Sequence, residues 1–160
     1  MRRAILVMGV SGCGKTVVGR ALAGRLGGRF LDGDDYHPAG NVARMAAGQP
    51  LTDAMRRPWL DRLAEAVVEA RQEGSVVFAC SALKRSYRAR LEAGIAGLRT
   101  IWLDVPREVV LRRVATRPDH FMPASLVDSQ FATLEPPSNA IRLDAAQPVE
   151  AVVAQALKAL

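Results

Sequence analysis

Residues 4–16 read AILVMGVSGCGKT, and this stretch decides the fold. The apolar, partly branched run Ala4–Val10 predicts a strand buried on both faces. Gly9–Thr16 then satisfies the pattern G-x-x-x-x-G-K-[ST] in full. In such a loop the backbone of Gly9, Val10, Ser11, Gly12, Cys13 and Gly14 cradles phosphate oxygens. The helix that follows turns its positive end toward the anion. The Lys15 ammonium suits the β- and γ-phosphates of ATP, and the Thr16 hydroxyl suits Mg²⁺. Cys13, at the start of a helix, invites a nucleophile reading, but a small loop residue is the plainer one.

Outward from the loop, Lys15–Leu26 carries Val18, Leu22 and Leu26 at four-residue spacing and reads as a helix that Gly27-Gly28 ends. Arg29–Leu31, Ser75–Ala79, Thr100–Val105 and Ala140–Leu143 read as further strands. A short helix is expected over Asn41–Ala47. Asp53 is expected to cap a helix whose apolar stripe is Leu60, Leu63, Ala64, Val67 and Val68. Further helices are expected at Leu83–Glu92, Arg107–Arg117, Leu126–Leu134 and from Val149 to the end. Strands alternate with helices over 160 residues, which implies one α/β domain, residues 1–160. Its parallel sheet of five strands is covered by helices on both faces, three layers in all, with ligands at the carboxyl ends of the strands.

Composition narrows the function. The formal charge is +6, with 22 Lys and Arg against 16 Asp and Glu. The basic residues occur as short pairs, such as Arg56-Arg57 and Arg112-Arg113, and aromatics are 5 %. That is too few for a base-stacking platform, so small anions explain the excess better than nucleic acid. No run is long enough to span a membrane. The apolar N-terminal run is short for a signal peptide and enters the phosphate loop at once. Two cysteines imply no disulfide framework, which points to a reducing cytoplasm with access to ATP.

The second strand ends in Asp32-Gly33-Asp34-Asp35. A hydroxyl that accepts a phosphoryl group must be oriented and relieved of its proton, and a carboxylate does both. Asp32 and Asp34 share one face of an extended segment, so one can serve a metal's water shell and the other the acceptor. A solvated turn has the same composition.

With those residues in view, the chain resembles the gluconate kinases, small sugar-acid kinases of the shikimate- and nucleoside-monophosphate-kinase group. The resemblance rests on Gly9–Thr16, FLDGDDYHPAGN (30–41), RMAAGQPLTDAMRRPWL (44–60), ACSALKRSYR (79–88), His120-Phe121 and QFATL (130–134). It implies a P-loop kinase fold with a lid over 117–123 and transfer of the ATP γ-phosphate to the 6-hydroxyl of D-gluconate. It implies Asp34 as the acceptor-side carboxylate and Asp32 as a metal-shell one. His37, Asn41 and Arg44 would line the sugar-acid pocket, joined by Lys84, Arg88, His120 and Gln130. Arg117 would neutralise the moving phosphoryl group with Lys15, and a homodimer would be usual. Before the last strand the chain carries fewer acidic residues than the family pattern, though DAAQP (144–148) fits it. A kinase with another acceptor, such as shikimate or a nucleotide, and a nucleotide-dependent switch without transfer activity are the competing readings.

Overall fold

A computed structural model of the chain describes residues 1–116 and 123–160. Strand β1 is Ala4–Met8, and all five of its residues are buried. Ile5 and Val7 point to one face of the sheet and Ala4, Leu6 and Met8 to the other. The strand stops short of Val10 because Gly9 turns the chain into a positive-φ conformation, φ 150°.

Helix α1 (Lys15–Arg25) follows the loop, and β2 (Arg29–Asp32) follows α1. Next come α2 (Ala39–Ala46), α3 (Asp53–Arg71), β3 (Val76–Ala79) and α4 (Arg85–Gly94). Strand β4 (Arg99–Asp104), α5 (Arg107–Ala115), α6 (Ala124–Thr133), β5 (Ile141–Asp144) and α7 (Val149–Ala159) complete the order. The sheet order is β2-β3-β1-β4-β5, and every pairing is parallel. Parallel neighbours need crossovers, and the helices that make them cover both faces. This is the expected three-layer α/β architecture with five parallel strands.

Two apolar cores result. On one face α1, α5, α6 and α7 pack Val18, Leu22, Val110, Val127 and Val152 against Ile5, Val7, Ile101 and Leu103. On the other, α3 and α4 pack Leu60, Leu63, Val67, Tyr87 and Leu91 against Leu6, Met8, Val76 and Phe78. All strand carboxyl ends lie along one edge, where β1 meets the phosphate loop and β2 meets a 3-10 turn over Gly33–Tyr36.

Three of the helix starts that differ from expectation have a visible local cause. Thr52, not Asp53, caps α3: its Oγ1 accepts from the Met55 N–H at 3.1 Å, and Asp53 is the first helical residue. Helix α2 begins at Ala39 because Pro38 supplies the extended residue before it and accepts the Asn41 and Val42 N–H groups. Helix α4 begins at Arg85, because Leu83 is drawn into a loop where its carbonyl accepts from Glu135 N–H.

Leu63 is fully buried beneath the 3-10 turn. Leu63→Ala should lower stability by about 2–5 kcal/mol through lost burial and a residual cavity. Urea unfolding should show a lower midpoint with an unchanged slope.

Candidate active site

The phosphate loop is shaped by its glycines. Gly12 (φ 81°) and Gly14 (φ 98°) adopt left-handed backbone that a side chain would strain. A Cβ on Gly9 would lie 2.7 Å from Cys13 Sγ and 2.9 Å from the Leu103 carbonyl oxygen. Cys13 is therefore a buried filler of the loop. The Lys15 ammonium donates to the Gly9 and Val10 carbonyls, each at 3.0 Å. It is curled over the loop with no acidic partner among the described residues.

Two side chains from distant elements brace this loop. Gln130 of α6 accepts from the Ser11 N–H through Oε1 at 2.7 Å and donates to Ser11 Oγ through Nε2 at 3.0 Å. The sequence placed Gln130 among substrate-binding residues. The structure instead ties it to the loop. Arg113 of α5 donates to the Gly12 and Cys13 carbonyls at 3.4 and 3.3 Å and to the Ala145 carbonyl. Sequence reading missed Arg113. Its signal was its place one residue before buried Val114, on the face of α5 that meets the loop.

Beside Gly12–Gly14 lies a cavity of about 440 Å³, walled by Val17, Arg113, Ala145, Gln147, Pro148 and Val152. That volume suits a nucleoside-sized ligand. The wall includes four residues of the DAAQP stretch, Ala145 to Pro148.

Across the strand edge lies the acidic turn. Asp32 accepts the Asp34 N–H at 3.0 Å and thereby caps the 3-10 turn. Burial, reinforced by the Asp32 carboxylate, pushes the Asp34 pKa above its ordinary value. His37 and the Lys15 ammonium pull it the other way. The phosphate-loop lysine and the Asp34 carboxylate thus share one field. The turn is tightly held, since Trp59 Nε1 donates to the Gly33 carbonyl at 2.7 Å. A Cβ on Gly33 would sit 2.5 Å from the Ala79 carbonyl oxygen.

The His37 ring stacks on Trp59, with centroids 4.0 Å apart and planes 19° from parallel. Asn41 is buried at 4 % exposure. Its Nδ2 lies 3.1 Å from the Met55 carbonyl oxygen and 3.2 Å from His37 Nδ1. Burial lowers the His37 pKa, with Asp34 opposing and Arg56 assisting.

The basic candidates separate. Lys84 lies at the rim, 3.4 Å from Asp53 Oδ1 and over the Tyr87 ring, while the Tyr87 hydroxyl donates to the same Asp53 oxygen at 2.6 Å. Arg44 donates to the Pro50 carbonyl at 2.7 Å. Arg88 departs from expectation. It is buried, and its guanidinium donates to the Ala82, Leu83 and Glu135 carbonyls at 2.7, 3.0 and 2.7 Å. This knits the loop after β3 to the segment after α6. Arg117 and His120 lie outside the described residues. Among the described residues no cluster of three or more His, Cys, Asp or Glu side chains could hold a metal by itself.

A family profile described as an AAA domain matches residues 5–137. The thermosensitive gluconokinase of Escherichia coli (strain K12) is 40 % identical over 160 residues, covering 97 % of this chain and 86 % of that protein. The gluconokinase of Gluconobacter oxydans (strain 621H) is 47 % identical over 138 residues, covering 86 % of this chain and 78 % of that protein. The crystal structure of a gluconokinase from Sinorhizobium meliloti 1021 superposes with a TM-score of 0.87 at 41 % identity, covering 99 % and 92 % of the two chains. The chain belongs to the gluconokinase family of P-loop kinases.

Arg88→Lys should lower stability by about 1–3 kcal/mol, because one ammonium cannot serve three separated carbonyls. Denaturant titration should show the loss. An unchanged midpoint with a raised acceptor KM would assign Arg88 to the ligand instead.

Proposed function

We propose that the chain transfers the γ-phosphate of ATP to the 6-hydroxyl of D-gluconate, giving 6-phosphogluconate and ADP. The observation that carries this reading is the Asp34 carboxylate, held in the 3-10 turn just after β2 and within the field of the phosphate-loop Lys15. A nucleotide switch would need no such carboxylate. The acceptor is supported by the gluconokinases that match most of the chain.

In this reading Asp34 orients the 6-hydroxyl and takes its proton as the oxygen attacks the γ-phosphorus. The bond between that phosphorus and the bridging oxygen breaks, and the electron pair leaves with ADP. The raised pKa of Asp34 strengthens it as a base. Lys15 leaves the Gly9 and Val10 carbonyls for the phosphate oxygens. The backbone of Gly9–Thr16 holds the phosphates, and the cavity beside Arg113 takes the nucleoside. The donor set also fits Mg²⁺, which Thr16 Oγ1 and Asp32 would hold. That set is incomplete without phosphate oxygens and water, as is usual for this ion. When bound, the ion would supply charge neutralisation at the phosphates.

His37, Asn41, Arg44 and Lys84 form the acceptor side, and cations there suit a carboxylate ligand. Arg88 and Gln130 support the site through backbone they hold. Arg117 and His120 would act from the segment before α6. Two free, buried cysteines, Cys13 and Cys80, fit a reducing cytoplasm. No described helix is long and apolar enough to cross a membrane.

ADP release should depend on gluconate. Turnover on a different acceptor alone would replace the substrate, and no turnover with any acceptor would favour the switch. Asp34→Asn should lower kcat by about 10²- to 10⁴-fold, the range of a general base. Near-normal kcat would remove Asp34 from that role. Because burial and Asp32 raise its pKa, kcat/KM for gluconate should fall as pH drops, from a higher pH than an ordinary carboxylate would give. Asp32→Asn should move that acidic limb downward.

A further inference from the structure

Asn41 has an amide whose orientation is fixed by its partners. A backbone carbonyl only accepts hydrogen bonds, so the atom 3.1 Å from the Met55 oxygen is the amide NH₂. The second hydrogen of that NH₂ points at His37 Nδ1, 3.2 Å away. A nitrogen that accepts from an amide N–H cannot itself carry a proton. His37 is then neutral, with its hydrogen on Nε2. The ring has little freedom to escape this arrangement, because it lies flat on Trp59, whose own N–H is anchored on Gly33. His37 Nε2 makes no hydrogen bond among the described residues.

We propose that Asn41 is a positioning residue that locks His37 in the neutral Nε2–H form, directed at an uncharged oxygen of the acceptor. The second half rests on the sugar-acid reading. A neutral donor suits a hydroxyl of the polyol chain, whereas the carboxylate calls for Lys84 or Arg44. The division of labour lets the pocket tell a polyhydroxy acid from a short carboxylic acid. His37 recognises the chain and the cations recognise the charge.

The groups facing His37 are Asp34 from the acidic turn and Arg56 from α3. Asp34 favours the imidazolium, while Arg56 and burial oppose it. Protonating Nδ1 would set two N–H donors against each other at Asn41. The sign of the linkage follows. The folded chain resists a proton that the unfolded chain accepts, so this site lowers stability as pH falls through the ordinary histidine range.

The chain has only two histidines, so ¹⁵N-histidine labelling and long-range ¹H–¹⁵N correlation resolve both rings, and His37→Gln identifies the signals of His37. The ligand-free wild type should show an unprotonated Nδ1 and a protonated Nε2 at neutral pH. A protonated Nδ1, or an averaged pair of tautomers, would overturn the proposal whether or not any variant folds. Asn41→Asp replaces the donor by an acceptor that takes Nδ1–H. It should move the His37 titration upward by about 1–2 units, as a close opposite charge does. It should also make the KM for gluconate vary with pH between 6 and 8, where the wild-type KM should stay flat. An unshifted titration in folded Asn41→Asp would overturn the lock. Failure of the acceptor reading would appear separately, as absence of gluconate turnover by the wild type with either tautomer.

Discussion

The structure depends on one strand being apolar on both sides. Side chains alternate along β1, so Ile5 and Val7 go to one core while Ala4, Leu6 and Met8 go to the other. A strand buried on both faces must sit mid-sheet and be covered twice, and the crossover helices do the covering. Its carboxyl end has no freedom left. The chain must leave through Gly9, in a conformation that a side chain would make clash with Cys13 and the Leu103 carbonyl. The phosphate loop is the exit that β1 requires.

This explains why the nucleotide half was legible in the sequence. The spacing of Gly9, Gly14, Lys15 and Thr16 encodes local backbone shape, and local shape is what a linear pattern specifies best. Short apolar runs between helical segments likewise announced all five strands. The acidic turn was readable for the same reason, since Asp32 and Asp34 lie two residues apart where β2 runs into the 3-10 turn, although Asp32 caps that turn rather than sharing an extended face with Asp34.

Long side chains with distant partners were less legible. Arg88 looked like a cation for an anionic ligand, yet three carbonyls of two loops surround it. Gln130 looked like a pocket residue, yet it meets Ser11, 119 residues earlier. Arg113 carried no motif, and its role arises only when α5 is laid against the loop. Nothing in a one-dimensional pattern says which carbonyls will lack helix or sheet partners after folding. Such carbonyls recruit whatever donor can reach them. Helix boundaries failed in the same way, as at Leu83, where a contact with Glu135 overrode local preference. Trp59 is a buried aromatic of the α3 core. It also stacks on His37 and holds Gly33, two tasks that burial alone does not reveal.

The sheet also acts as a partition. The cavity beside the phosphate loop is walled by α1, α5 and α7, which belong to one core. His37, Trp59 and Tyr87 stand with α3 and α4 on the other. Substitutions in separate packing units add nearly independently. The two sides can therefore accumulate changes at different evolutionary rates. A lineage can alter one layer of helices while the cavity beside the phosphate loop, in the opposite layer, stays as it was. Such a partition favours diversification of specificity on a constant phosphate donor.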